Sequence, residues 1–192
     1  MKNKLMFVML AAVCFFGFTG VCHALEMLNT EQALKEMFPD AEKIENVKKT
    51  LVQKDIDNIK SKLGGTLVYL GSGKASTWKA ETEYTLYYGI KGGQKTGVAL
   101  IEEQPGKWGP VKYIVLLDIK TAKVKNMAVM ALSEKRGRPI ASKNFLGQFT
   151  GKGSEVVIGK GVTAVSGATI SSEATCFTVK KVIAVYNELA VK

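Results

Sequence analysis

The chain has 192 residues, with 27 lysines and arginines against 17 aspartates and glutamates, three cysteines, one histidine and a formal net charge of +10. That length suits one domain with a sizeable core. The charge suits an anionic membrane surface, an acidic partner or a phosphate-bearing cofactor, and because the lysines are scattered rather than blocked, a solvated basic surface accounts for them equally well.

The first residues read as an export signal. Lys2 and Lys4 supply the positive end, positions 5–21 an apolar run, and Cys22-His23-Ala24 a small-x-small cleavage site ahead of Leu25. The expected location is therefore extracytoplasmic, in the periplasm, where nucleic acid is not a partner. The apolar run is at the lower limit for a membrane span, so an uncleaved anchor and membrane association form the alternative. Val21 stands where a lipoprotein signal wants Gly, Ala or Ser before Cys22. Cleavage after Ala24 removes Cys14, Cys22 and His23, leaving Cys176 as the one thiol and no imidazole. A single thiol forms no intramolecular disulfide. The lack of histidine excludes Ser-His and Cys-His catalysis, the usual zinc sites and the C-x-x-C-H attachment of haem.

After the signal, apolar residues recur at helical spacing over 28–38, with Asn29 or Thr30 able to cap the start and Pro39 stopping the end. A second helix is predicted over 53–63, where Ile56, Ile59 and Leu63 share a face and Gly64-Gly65 ends it. This helical preamble covers 25–65. Strands are predicted over 66–70, 81–90, 96–102, 111–118 and 124–132, which are rich in Val, Ile, Tyr and Thr and separated by turn signals such as Gly92-Gly93 and Pro105-Gly106. Consecutive strands joined by short turns imply an antiparallel sheet. An irregular stretch over 133–161 holds Phe145 and Phe149, suited to a short helix under the sheet. From about Ile170 the period returns to 3.6, with Cys176, Val179, Val182, Ile183, Tyr186 and Leu189 on one stripe and Lys180, Lys181 and Glu188 largely off it. The expected fold class is α+β, an antiparallel sheet flanked by helices, in one domain over 25–192 (preamble 25–65, sheet and C-terminal helix 66–192). Cys176 reads as a buried small hydrophobe.

The stretch VSGATISSEATCF, residues 165–177, forms the loop entering that last helix. Ser171 or Ser172 can cap the helix, Glu173 suits its positive end, and free backbone N–H groups there make an anion site. Gly167 and Ala168 keep the approach to the Thr169 hydroxyl open, so a phosphate ester fits sterically. Ordinary capping chemistry is the alternative reading of the same residues.

The segment VTAVSGATISS (162–172) resembles the flavinylation motif of the FMN-binding domain family, which includes flavin-carrying components of the sodium-translocating NADH:quinone oxidoreductase and of the Rnf complex. ALKEMFPDAEKI (33–44), GKWGPVKYIVLLD (106–118) and NFLGQFTGK (144–152) are similar to other parts of that family, so the likeness covers most of the chain beyond the signal. It implies FMN attached through a phosphoester bond to Thr169, with Ser166, Gly167, Ala168, Ile170 and Ser171 shaping the attachment loop and Glu134 and Gly137 near the flavin. It also implies a separate flavin transferase that supplies the base and Mg²⁺ and uses FAD as donor, and redox partners in the membrane or outside it. Two positions depart from the family pattern: Thr163 stands where an acidic residue is usual, and Glu134-Lys135-Arg136-Gly137 replaces Glu-Thr-Pro-Gly, placing Arg136 where it could stabilise a reduced, anionic flavin.

Other motifs point to rivals. Ser76-Thr77-Trp78-Lys79 fits S-x-x-K and Lys95-Thr96-Gly97 fits K-T-G, the marks of a penicillin-binding serine hydrolase, but they fall among strand signals. Gly71-Ser72-Gly73-Lys74 hints at a nucleotide loop, yet Ala75 stands where a magnesium-binding hydroxyl belongs. Trp78 and Trp108 could stack on a ring system or serve packing. The expected function is an exported flavoprotein electron carrier, a relay rather than a stand-alone enzyme; the alternative is an exported non-redox binding or sensory module.

Overall fold

In a computed structural model, residues 25–134 and 138–190 are described. Residues 1–24, where an export signal is expected, Lys135, Arg136, Gly137 and the last two residues lie outside the described residues. In chain order the elements are β1 (Leu25–Glu26), α1 (Thr30–Met37), β2 (Lys43–Thr50), α2 (Gln53–Lys62), β3 (Glu83–Lys91), β4 (Gln94–Pro105), β5 (Pro110–Leu117), β6 (Val124–Leu132), α3 (Lys143–Leu146) and α4 (Thr169–Ala190). These six strands form one sheet in the order β1-β6-β5-β4-β3-β2, every pair antiparallel, and two further short strands, Val157–Ile158 and Gly161–Val162, pair in parallel as a second sheet. The fold is thus α+β, an antiparallel sheet flanked by helices.

Each sheet face has its own core, and β5 explains why its sequence is nearly all apolar. Val111, Tyr113, Val115 and Leu117 join the large core under α4, while Ile114 and Leu116 join a smaller core under α1 with Ala33, Met37 and Phe38. A strand covered on both faces has no solvent side to mark with polar residues. Each large side chain buried in this way is worth roughly 1.5–3 kcal/mol. Gly89 and Gly97, paired across β3 and β4, leave room for the Phe38 ring; a Cβ at Gly89 would lie 2.4 Å from it. Asn29, not Thr30, caps α1, accepting from the Gln32 N–H at 2.9 Å while Gln32 answers to the Asn29 N–H at 3.0 Å.

Three expectations change. The preamble is not only helical: residues 43–50 form β2, an edge strand paired with β3 over its whole length. Its Ile44 and Val47 are three apart, a spacing that does not mark a strand, and its lysines suit an edge that must not recruit other chains. Residues 66–70 are not a strand. The Gln104 side chain, fully buried in β4, accepts from the Tyr69 N–H at 2.9 Å and donates to the Leu67 carbonyl at 3.2 Å, replacing the ladder a neighbouring strand would offer.

The third change is Lys181, expected off the apolar stripe of α4. It is fully buried, and its ammonium lies 2.8 Å from the Glu102 carboxylate of β4, which is also fully buried. Tyr84 donates to the same carboxylate at 2.8 Å and Gln104 at 2.9 Å, so the charge is met on several sides. Burial, reinforced by Glu102, holds the Tyr84 hydroxyl far above its ordinary pKa, and it stays a donor. α4 is buried around most of its circumference, as a central helix and not a one-sided one.

Candidate functional site

The loop ahead of α4 is short of regular structure but not of hydrogen bonds. The Ala168 N–H donates to the Val165 carbonyl at 2.9 Å, closing a four-residue turn in which Gly167 occupies the third position with φ +73°. Glycine is the residue that takes this conformation without strain. The turn leaves Ser166 and Gly167 exposed and brings the chain into the helix at Thr169, whose side chain is exposed as well. Ala168 is buried, Ile170 half-buried and Ser171 buried.

Neither Ser171 nor Ser172 caps the helix, because α4 begins earlier, at Thr169. Ser172 lies inside its first turn: the Oγ donates to the Ala168 carbonyl at 2.9 Å and accepts from the Val165 N–H at 3.0 Å, tying the loop to the helix from within. Ala168 precedes the helix and has no polar side chain to satisfy it. The N–H groups of Thr169, Ile170 and Ser171 therefore have no intrahelical acceptor and stand at the positive end of the helix dipole. Glu173 is exposed one turn on and takes the Tyr69 hydroxyl as a donor.

Beside this helix start is a cleft of about 210 Å³, lined by residues 167–171 on one side and by Lys107, Trp108 and Glu134 on the other. Lys107 and Trp108 belong to the tight turn between β4 and β5, closed by the Gly106 N–H donating to the Gly109 carbonyl at 2.8 Å. Ser72 pins that turn by donating to the Gly106 carbonyl at 2.6 Å, the role that Gly71-Ser72-Gly73-Lys74 performs in place of a nucleotide loop. Glu134 is 5% exposed, and its Oε1 accepts from the Trp108 N–H at 3.3 Å. Trp108 is 41% exposed, with the Lys107 ammonium 5.6 Å from its ring centre.

The structure thus brings Thr169, Gly167, Ala168, Ile170 and Ser171 together with Glu134, leaves Ser166 on the exposed turn, and adds Lys107, which sequence reasoning missed. The signal for Lys107 was its place beside Trp108 in a turn between two strands. Cys176 lies deeper on α4, buried, and burial pushes its thiol up to about 11 against the opposing pull of Lys180. It is a core residue. Ser76 is on a single helical turn, Ala75–Thr77, and Lys95-Thr96-Gly97 on β4, which gives no serine hydrolase arrangement. Among the described residues no cluster of His, Cys, Asp and Glu could hold a metal ion, and no helix is long and apolar enough to cross a membrane.

An exposed hydroxyl on a helix start, N–H groups without an intrahelical acceptor, a lysine and an exposed indole meet at this cleft, an arrangement chemically suited to an anionic group that bears an aromatic ring. The cleft is smaller than the roughly 300–1,000 Å³ of pockets that enclose a ligand, so such a group would be seated only in part and keep an edge in solvent. Residues 106–184 match the family model of the FMN-binding domain. The structure of NqrC from Shewanella oneidensis superposes with a TM-score of 0.53 at 13% identity, covering 82% of this chain and 88% of that one. At 82% of the chain, that likeness extends beyond the part the family model matches. A search of curated proteins finds no significant match to the sequence.

Proposed function

We propose that this protein is an exported electron carrier with FMN attached through a phosphoester bond to Thr169. The observation that carries the reading is the exposure of Thr169 at the first position of α4, between a cleft and a set of unpaired N–H groups. Thr169 Oγ would attack the phosphorus on the FMN side of FAD. One Oγ–P bond forms, the pyrophosphate P–O bond breaks, AMP leaves, and the hydroxyl proton passes to a base of a flavin transferase that also holds Mg²⁺. No histidine is needed in the acceptor, because the base belongs to the other protein.

The remaining diester is still anionic. The first-turn N–H groups of α4 hold it with about 0.3–1 kcal/mol from the helix dipole, and Lys107 offers a cation across the cleft. Trp108 supplies an exposed aromatic face for a ring system. Gly167 and Ala168 keep the approach to the oxygen free of side chains. Bound flavin supplies reversible uptake of one or two electrons, while the protein sets its orientation and exposure. The signal-like first 24 residues and the strongly positive charge support work at the outer face of the cytoplasmic membrane, between redox partners there.

The test is colour. Protein made together with a flavin transferase and exported is expected to be yellow, to bleach on reduction and regain colour on oxidation, and to keep its flavin fluorescence on a denaturing gel. A colourless product overturns the reading, and a flavin lost on denaturation overturns the covalent link. A retained flavin that cannot be reduced and reoxidised leaves a non-redox binding module.

A further inference from the structure

We propose that Gln148 is a positioning residue for flavin attachment at Thr169, an inference that rests on the reading of Thr169 as the attachment point. Thr163, six residues ahead of Thr169, is exposed and lies in no strand or helix. Both polar groups of its backbone are nevertheless engaged by one side chain. The Gln148 Oε1 accepts from the Thr163 N–H at 2.8 Å, and the Gln148 Nε2 donates to the Thr163 carbonyl at 3.2 Å. A primary amide presents one acceptor and one donor side by side, the pair a neighbouring strand would offer to a single residue. Gln104 does the same inside the core for Leu67 and Tyr69, and there it replaces a strand.

Gln148 is well founded for this task. It sits on a helical turn, Gly147–Phe149, directly after α3, between Leu146 and Phe149, both buried. Phe149 packs edge-on against Phe145 with ring centres 5.6 Å apart. The anchor is therefore rigid while the amide reaches outward. Past Thr163 the loop is tied again, by the Val165 N–H to Ser172 Oγ and by the Ala168 N–H to the Val165 carbonyl. Between these ties only Ser166, Gly167 and Thr169 are exposed. Removing Gln148 releases the loop at Thr163, between Val162, which stays buried and paired with Ile158, and the helix end, which stays held.

The transferase must seat this loop for Thr169 Oγ to displace AMP from the flavin dinucleotide, with the hydroxyl proton leaving to the transferase's base. A loop already in its binding shape spares that complex the ordering, whereas a loop that is competent only part of the time binds with an affinity reduced by that fraction. Loss of the clamp is thus expected in KM for the acceptor and not in kcat. Losing two solvent-accessible hydrogen bonds lowers the competent fraction about tenfold.

The experiment measures initial rates of flavin transfer, by intact mass, from FAD with Mg²⁺ and purified transferase, against concentration of wild type, Gln148→Ala and Gln148→Glu. Gln148→Ala is expected to raise KM about tenfold at unchanged kcat, with the melting temperature lowered by only about 2–5 °C. Gln148→Glu keeps the acceptor for the Thr163 N–H and loses the donor, so its KM is expected between the other two. Hydrogen exchange at the Thr163 amide should rise in Gln148→Ala. A wild-type KM in Gln148→Ala, with wild type modified normally, overturns this inference alone. Failure of wild type to be modified overturns the Thr169 reading and this one with it. If Gln148→Ala does not fold, Gln148→Glu decides, and a wild-type KM there is the contrary result.

Discussion

The first turn of α4 and the stretch about three turns further along the same helix treat polar side chains in opposite ways. At Lys181 a full charge is buried and answered from inside the protein, by Glu102, with Tyr84 and Gln104 completing the carboxylate's partners. At Thr169 a neutral hydroxyl and the adjoining N–H groups face outward toward a cleft. The inner cluster is finished and needs nothing from outside. The outer one has capacity left over, and that difference separates scaffold from site on a single helix. Ser172 stands between them: it is buried like the scaffold, yet its hydroxyl serves the loop that presents Thr169.

The sharpest way to break the contrast is Lys181→Ala. It leaves the Glu102 carboxylate buried without its cation, and the expected loss is about 3–5 kcal/mol in chemical denaturation. Replacing both partners by apolar or neutral groups, as in Lys181→Met with Glu102→Gln, should recover most of that loss. Flavin attachment to the protein that remains folded should be unchanged, since neither group lies at the cleft. An intermediate effect is expected from Ser172→Ala. It deprives the Val165 N–H of its acceptor and should cost about 1–3 kcal/mol; unlike Lys181→Ala it should also slow attachment at Thr169 in folded protein, which a combined melting and transfer-rate measurement resolves. If both variants slow attachment in proportion to their loss of stability alone, the division between scaffold and site is wrong.

Much of the fold was legible because its signals were local. The strands at 81–90, 96–102, 111–118 and 124–132 are dense in β-branched and aromatic residues, and the structure extends or trims them by a few residues. Cys176 reads as core because it lies on an apolar stripe, and it is buried. What escaped depended on partners distant in sequence. β2 has few apolar residues of its own and exists through its pairing with β3. The segment 66–70 looks like a strand, but its partner is the side chain of Gln104. Lys181 reads as a surface residue until Glu102, 79 positions away, is placed opposite it.

The site divides in the same way. The loop ahead of α4 was legible in Ser166, Gly167, Ala168 and Thr169, because small residues and hydroxyls before a helical period carry their meaning locally. The start of α4 was legible to within one residue, Ile170 against Thr169, but the two serines suited to capping lie inside the helix. Lys107 and Gln148 lie in the stretches 106–118 and 144–152 that carry the resemblance, yet nothing local gives them a role: a lysine in a turn and a glutamine after a short helix acquire one only when the chain folds them against 163–171.

The most direct test of the central claim is the intact mass of wild type and Thr169→Ala, each made alongside a flavin transferase and denatured before measurement. The wild type is expected to gain the mass of FMN less water and the variant none, with both proteins folded and equally stable. An unmodified wild type under those conditions, or the same adduct on Thr169→Ala, would contradict it.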